Sequence, residues 1–208
     1  QAAGKIAIDV EELGVDMLSL SGHKFHGPKG VGLLYVRRGV PLESLIHGGQ
    51  QESGLRAGTE NVPAIAGMGK AAELALENLR AMPAVRKRRD LLQRGIMELI
   101  PLARLNGPRD ERLPNTLNMT LPGLRGESLV VAMDQHGISF SSGSACKSGS
   151  PQPTHVLMAM GRSEEEAHCS VRFSLDTGTS TEAIDTTLSE LKKVLEEIES
   201  TIRFLPCK

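Results

Sequence analysis

Two apolar runs near the start of the chain, residues 15–20 and 31–36, are short, rich in Val and Leu, and separated by a polar, glycine-studded stretch. Runs of that length bounded by turn residues read as strands, and their apolar content predicts that both are buried. Ahead of them, residues 4–15 read as a strand edge and a short helix, with Asp9 as N-cap and Glu11 and Glu12 in its first turn. Residues 40–61 show little periodicity and read as a long loop, a kind of segment that usually carries function. Asn61 ahead of Pro63 then caps a helix in which Ile65, Met68, Ala72, Leu76 and Leu79 recur at helical spacing. Met82 and Pro83 break it, and a second helix runs to about residue 100 with Leu92, Ile96 and Leu99 on its buried face.

Beyond a turn-rich connector at 106–114, residues 116–121 alternate as a strand, and 127–136 form a short helix closed by Gly137. A short strand at 138–141, a helix start at Ser163 and a strand at 170–175 follow. The chain ends in a helix whose Ile184, Leu188, Leu191, Leu195, Ile198 and Ile202 make one apolar stripe behind Ser180, Thr181 and Glu182, a stripe suited to docking on a core. Strands and helices thus intermingle, which predicts an α/β protein.

Composition narrows the function classes. With 208 residues and a net charge of −1, the chain can bury a substantial core but offers no overall field for nucleic acid or an anionic membrane. The basic run from Arg86 to Arg89 is followed by Asp90 and interleaved with no aromatics, so it reads as a solvated helix face. No apolar run approaches the roughly 20 residues that span a bilayer, and no leader opens the sequence, which predicts a cytoplasmic protein. The three cysteines, Cys146, Cys169 and Cys207, are too widely spaced for a metal-binding pair or a disulfide framework. No metal site is expected.

The polar stretch between the first two strands carries the chemistry: Ser21, Gly22, His23 and Lys24, then Gly27, Pro28, Lys29 and Gly30. A lysine in such a loop acts as a nucleophilic amine when burial and positive neighbours favour its neutral form. Glycines let the backbone approach a ligand closely, and Ser19, Ser21 and His23 are donors for a phosphate. No Walker-type spacing is present. These residues strongly resemble the cofactor-lysine segment of the cysteine desulfurases, within the class V aminotransferase group. The resemblance implies that Lys24 holds pyridoxal 5'-phosphate covalently and that Ser21 and His23 contact it. It further implies a type I aminotransferase fold, with residues 1–80 forming the C-terminal part of the large cofactor domain and residues 81–208 the small α+β domain. Gln1 resembles the glutamine that touches the cofactor's phenolic oxygen in an Asp-x-x-Gln segment. That match implies a C-terminal portion of an enzyme about twice as long, whose pyridine-pairing Asp precedes residue 1. Residues 47–52 and 55–61 resemble further family segments, and the matching threonine there contacts the cofactor phosphate of a neighbouring subunit, so Thr59 implies a homodimer.

Cys146 lies among small residues, in Ser141, Ser142, Gly143, Ser144, Ala145, Cys146. A thiol with nothing packed on it and Lys147 beside it has a favoured thiolate. The motif resembles the persulfide-forming cysteine of the desulfurases, in the longer-looped group. Cys169, in an apolar setting, reads as a buried packing thiol, and Cys207 receives no role. Alternation places Arg172 and Ser174 on one face of their strand, where an arginine fork suits a carboxylate. The strand resembles the one whose arginine binds the amino-acid substrate, although the family's usual Gly-Arg is replaced by Asp176 and Thr177. Leu113, Pro114 and Asn115 resemble a small-domain segment.

Taken together, these matches imply a pyridoxal-phosphate-dependent enzyme converting L-cysteine to L-alanine, with sulfur held on Cys146 for an acceptor or iron–sulfur scaffold protein. The competing expectations are a selenocysteine lyase, another class V aminotransferase, or a non-catalytic dimerisation or docking fragment.

Overall fold

The computed structural model describes residues 1–142 and 153–204. The chain divides into two compact units, Gln1–Ala81 and Met82–Lys208. In the first unit, β1 (Met17–Ser21) pairs antiparallel with β2 (Gly32–Val36), in a register that sets Met17 opposite Val36 and Ser21 opposite Gly32. The expected strands exist, but their expected burial does not. Leu33 and Leu34 are about half exposed, because a two-stranded ribbon covers neither of its own faces. The helix expected within 4–15 is absent as well. Asp9 Oδ1 accepts from the backbone N–H groups of Glu11 and Glu12, so the capping side chain closes a turn and no helix propagates from it.

The helix predicted after Asn61 is α1 (Val62–Asn78), and Asn61 Oδ1 accepts from the Ala64 N–H at 3.3 Å. Its Met68, Ala71 and Ala75 pack on Phe25, with Ala3, Leu20 and Val31 around them. Small residues let the helix approach closely: a Cβ added to Gly67 would come within 2.7 Å of the Pro28 ring. The long loop predicted at 40–61 contains a single 3₁₀ turn, Gln51–Gly54.

In the second unit, α2 (Met82–Leu99) begins where Met82 and Pro83 were expected to interrupt the helix. A four-stranded antiparallel sheet has the order β3–β4–β6–β5, comprising β3 (Arg104–Leu105), β4 (Thr116–Thr120), β5 (Ser141–Ser142) and β6 (Ser170–Ser174). One face, carrying Leu117, Met119, Val171 and Phe173, forms the core with α2, α3 (Gly126–Gln135) and α6 (Thr181–Phe204). Ile184 and Leu191 of the predicted α6 stripe are buried there, together with Val194, which the stripe did not include, and Leu188, Leu195 and Ile198 pack at its edge. Two short helices, α4 (His155–Ala159) and α5 (Glu164–His168), lead into β6, the second opened by a reciprocal capping box between Ser163 and Glu166. The pattern reading missed β3 and α4, each too short to show a period. It also placed β5 early, at 138–141.

The other face of the sheet is polar. Asn106 Nδ2 donates to Asn118 Oδ1, Thr120 Oγ1 and Ser170 Oγ at 2.8, 3.0 and 3.2 Å, so these four side chains satisfy one another on that face. Among the described residues no helix is long and apolar enough to cross a membrane.

One sequence expectation is corrected on α2. The run Arg86 to Arg89 is not uniformly solvated, since Arg89 is only 1% exposed. Its Nε and Nη2 donate to Asp90 Oδ1 at 2.9 and 2.6 Å, and its Nη1 to the Leu113 carbonyl at 2.7 Å, which ties α2 to the connector ahead of β4. Removing the buried Arg89 guanidinium leaves the Leu113 carbonyl without its donor and takes from Asp90 its shortest ion pair. Arg89→Ala should therefore cost about 3 kcal/mol in urea unfolding, whereas Arg94→Ala on the exposed side should stay within about 0.5 kcal/mol.

The end of α3 is held to α6 by His136 Nδ1 and Glu190 Oε2, 2.8 Å apart. Hydrogen bonds from Lys193 first and His136 second hold the Glu190 carboxyl below its ordinary range. A depressed carboxyl stabilises the fold above its unfolded-state pKa, and that contribution fades as pH falls through the lower folded-state value. Glu190→Gln should consequently be less stable than the parent at neutral pH. The gap between their urea midpoints should close in acid.

Candidate active site

Strand β1 ends at Ser21 and the chain turns at once into the 3₁₀ helix Gly22–Phe25, so Lys24 stands between the two strands as the sequence predicts. The turn is closed at both ends by backbone bonds: Gly22 N–H to Val31 O at 3.0 Å, and Gly27 N–H to Gly22 O at 2.9 Å. His26 takes a left-handed conformation, φ 70°, to complete it. Gly27 must be glycine, since a Cβ there would stand 2.9 Å from the Gly22 carbonyl oxygen. Phe25, 3% exposed, points into the α1 contact, while Ser21 and His23 are exposed and Lys24 is half-buried.

Gln1 and Thr59 sit on other segments of the same unit, both exposed. Gln1 leads into the turn at Gly4, where an added Cβ would come within 4 Å of Phe25 and Ala75. Thr59 follows Gly58, φ 108°, and Ala57, whose N–H bonds to the Ile46 carbonyl at 3.1 Å. The side chains of Gln1, Ser21, His23, Lys24 and Thr59 have no hydrogen-bonding or ionic partner among the described residues. The amine of Lys24, the hydroxyl of Ser21, the imidazole of His23 and the amide of Gln1, all uncommitted, are groups whose chemistry suits an aldehyde carrying a phosphate, and the Thr59 hydroxyl suits a phosphate as well. That chemistry fits pyridoxal 5'-phosphate. Among the described residues there is no cluster of His, Cys, Asp and Glu able to hold a metal ion.

In the second unit, register puts Arg172 of β6 between Asn118 of β4 and Ser141 of β5. It lies on the polar face with Ser174, as alternation predicts, while Val171 and Phe173 are buried behind it. Its Nη2 is 3.5 Å from Ser141 Oγ, and its Nε is shielded from solvent with no acceptor among the described residues. The guanidinium therefore keeps unspent donors for a carboxylate. Asn118 and Ser141 were not found from sequence, because only strand register reveals that they flank an arginine. Phe140 stacks at 4.6 Å on Phe173 and anchors the approach to β5. Cys146 lies four positions past Ser142, outside the described residues, as does Cys207. Cys169 is buried, as expected of a packing thiol.

A family model described as "Aminotransferase class-V" matches residues 1–187. The chain belongs to the class V aminotransferase family. Within that family it is 48% identical over 203 residues to a cysteine desulfurase IscS of Clostridium botulinum, covering 95% of this chain and 50% of the relative. It is also 48% identical to a cysteine desulfurase of Sinorhizobium fredii, covering 97% and 52%. Among solved structures it is similar to a NifS-like protein, at 41% identity and a TM-score of 0.85 over 95% of this chain and 51% of the other. The mixed α/β fold is thus that of NifS-like class V aminotransferases, and the chain spans about half the length of the curated relatives it matches.

If the lysine turn depends on the close approach at Gly27, Gly27→Ala should cost about 1–3 kcal/mol in thermal or denaturant unfolding. Gly30→Ala makes a useful comparison, because its Cβ meets nothing within 4 Å and only its φ of 82° opposes it.

Proposed function

We propose that this chain is the C-terminal portion of a pyridoxal-phosphate-dependent cysteine desulfurase. The observation that carries the reading is similarity to proteins of that name at 48% identity across 95% or more of the chain. In this reading Gln1–Ala81 is the C-terminal part of the large cofactor domain and the second unit is the small domain. Lys24 is the covalent anchor of the cofactor, with Ser21, His23 and Gln1 contacting it. Thr59 serves the phosphate bound by the other subunit of a homodimer. The cofactor, when bound, supplies a sink for the electrons left on the substrate carbon skeleton.

The remaining chemistry belongs to this chain's own side chains. Arg172 clamps the L-cysteine carboxylate through its free guanidinium donors. The Lys24 amine, released from its anchoring role by the substrate amine, moves the proton at the substrate Cα. The Cys146 thiolate attacks the substrate sulfur: an S–S bond forms, the Cβ–S bond breaks, and the bonding pair remains with the carbon fragment that leaves as L-alanine. The persulfide on Cys146 then passes to an acceptor or iron–sulfur scaffold protein, in the cytoplasm.

Alanine release from L-cysteine, persulfide labelling and the visible cofactor band, measured on the full-length protein, test the assignment. Cys146→Ala should lose persulfide and sulfide production yet keep the cofactor band. Arg172→Lys should raise the KM for L-cysteine by about tenfold or more, because a point charge cannot replace a bidentate fork. Persulfide formation that persists without Cys146 would contradict the assignment. A marked preference for selenocysteine over cysteine would favour a lyase instead.

A further inference from the structure

A shallow groove of about 360 Å³ runs along α2, lined by Lys87, Arg88, Asp90, Leu91, Arg94 and, at the start of α6, Thr181. Asp90 is the only carboxylate between Arg86 and Arg94. It is already shared, with Arg89 Nη2 at 2.6 Å, Arg112 Nη2 at 3.6 Å and Arg86 Nε at 4.0 Å from its oxygens. Lys87, Arg88 and Arg94 are left without an ionic partner among the described residues. The excess of positive charge is felt at Arg112, whose guanidinium is held below its ordinary value by burial first and then by neighbouring Arg89 and Arg86, against the pull of Asp90 and Asp110. Glu182, adjacent to Thr181, is engaged with its own backbone and Ser180.

A second observation concerns Arg88. It is half-buried, and its Nε is shut off from solvent with no acceptor among the described residues. Buried donors in folded proteins are nearly always paired, so the Arg88 guanidinium, which also lines the groove, adds to the positive charge there without being neutralised by a described residue.

We infer that this groove is a docking surface for an acidic segment of another protein. Lys87, Leu91 and Arg94 share one face of α2, and the two cations stand about 10 Å apart along its axis. The complementary segment carries carboxylates at that separation with an apolar side chain between them to cover Leu91. Nucleic acid suits the groove less well, because no aromatic side chain lines it to stack on bases. The surface is rigid, since Leu92 and Ile96 on the opposite side of α2 are locked in the core. The inference is independent of the sulfur chemistry.

Fluorescence anisotropy on the full-length protein tests it, with a labelled peptide in which glutamates flank one central leucine. The account expects saturable binding that weakens with salt and falls at least about tenfold in the Lys87→Glu, Arg94→Glu double variant. Lys192→Glu on the exposed part of α6 should leave it unchanged. Both groove substitutions are at exposed positions, and circular dichroism with a thermal melt checks that the fold is retained. Arg94→Gln alone, a milder change, should move affinity in the same direction. Equal binding of a glutamine-for-glutamate peptide, affinity untouched by the double variant, or tighter binding of an oligonucleotide through the same residues would each overturn the inference.

Discussion

Burial of Phe25 against α1 decides where Lys24 stands. The aromatic ring is next to the lysine in a four-residue 3₁₀ turn, and it fits because the facing helix presents Met68, Ala71 and Ala75 in place of larger side chains. Removing a phenylalanine from water is worth about 1.5–3 kcal/mol, a large bias for so short a turn. With Phe25 held inward, Ser21 and His23 stay exposed and Lys24 half-buried, so the polar side chains of the turn remain available. The glycines complete the arrangement, since both the Gly22–Gly27 contact and the Gly67–Pro28 approach are too close for a Cβ. The proposed reactivity of Lys24 and the packing of Phe25 are thus two faces of one turn.

The second unit divides its labour by strand alternation. Each strand sends one set of side chains into the helical core and the other into a polar layer, where Asn106, Asn118, Thr120 and Ser170 bond to one another and the Arg172 Nε has no acceptor among the described residues. Rigidity on the apolar side gives an arginine on the polar side a fixed position, which the proposed grip on a carboxylate requires. The same logic governs α2. Arg89 is spent on structure, bonding Asp90 and the Leu113 carbonyl, and Arg86 pairs with Asp90 and Asp110, whereas Lys87, Arg88 and Arg94 have no ionic partner among the described residues.

Much of this was legible in the chain itself. The lysine turn, the α1 cap at Asn61, the α6 stripe and the alternation at Arg172 all follow from local rules of period and capping, and each stands where those rules put it. What local rules could not supply was context. Asp9 has the chemistry of a helix cap, yet its oxygen closes a turn, because nothing after it pays for nucleating a helix. Arg89 looked like any other member of a basic run, and only the fold brings the Leu113 carbonyl to it. The role of Asn118 and Ser141 beside Arg172 depends on register across separate strands, which no single stretch of sequence encodes.

The central claim is that the turn braced by Phe25 presents Lys24 as the covalent anchor of the cofactor. Borohydride reduction of the cofactor-loaded full-length protein, followed by proteolysis and peptide mass mapping, tests this directly, because reduction makes the lysine–cofactor bond permanent. The account predicts a pyridoxyl label on the peptide carrying Lys24 and its loss in Lys24→Ala. A label on Lys5, Lys29 or any other lysine of the parent protein would contradict it.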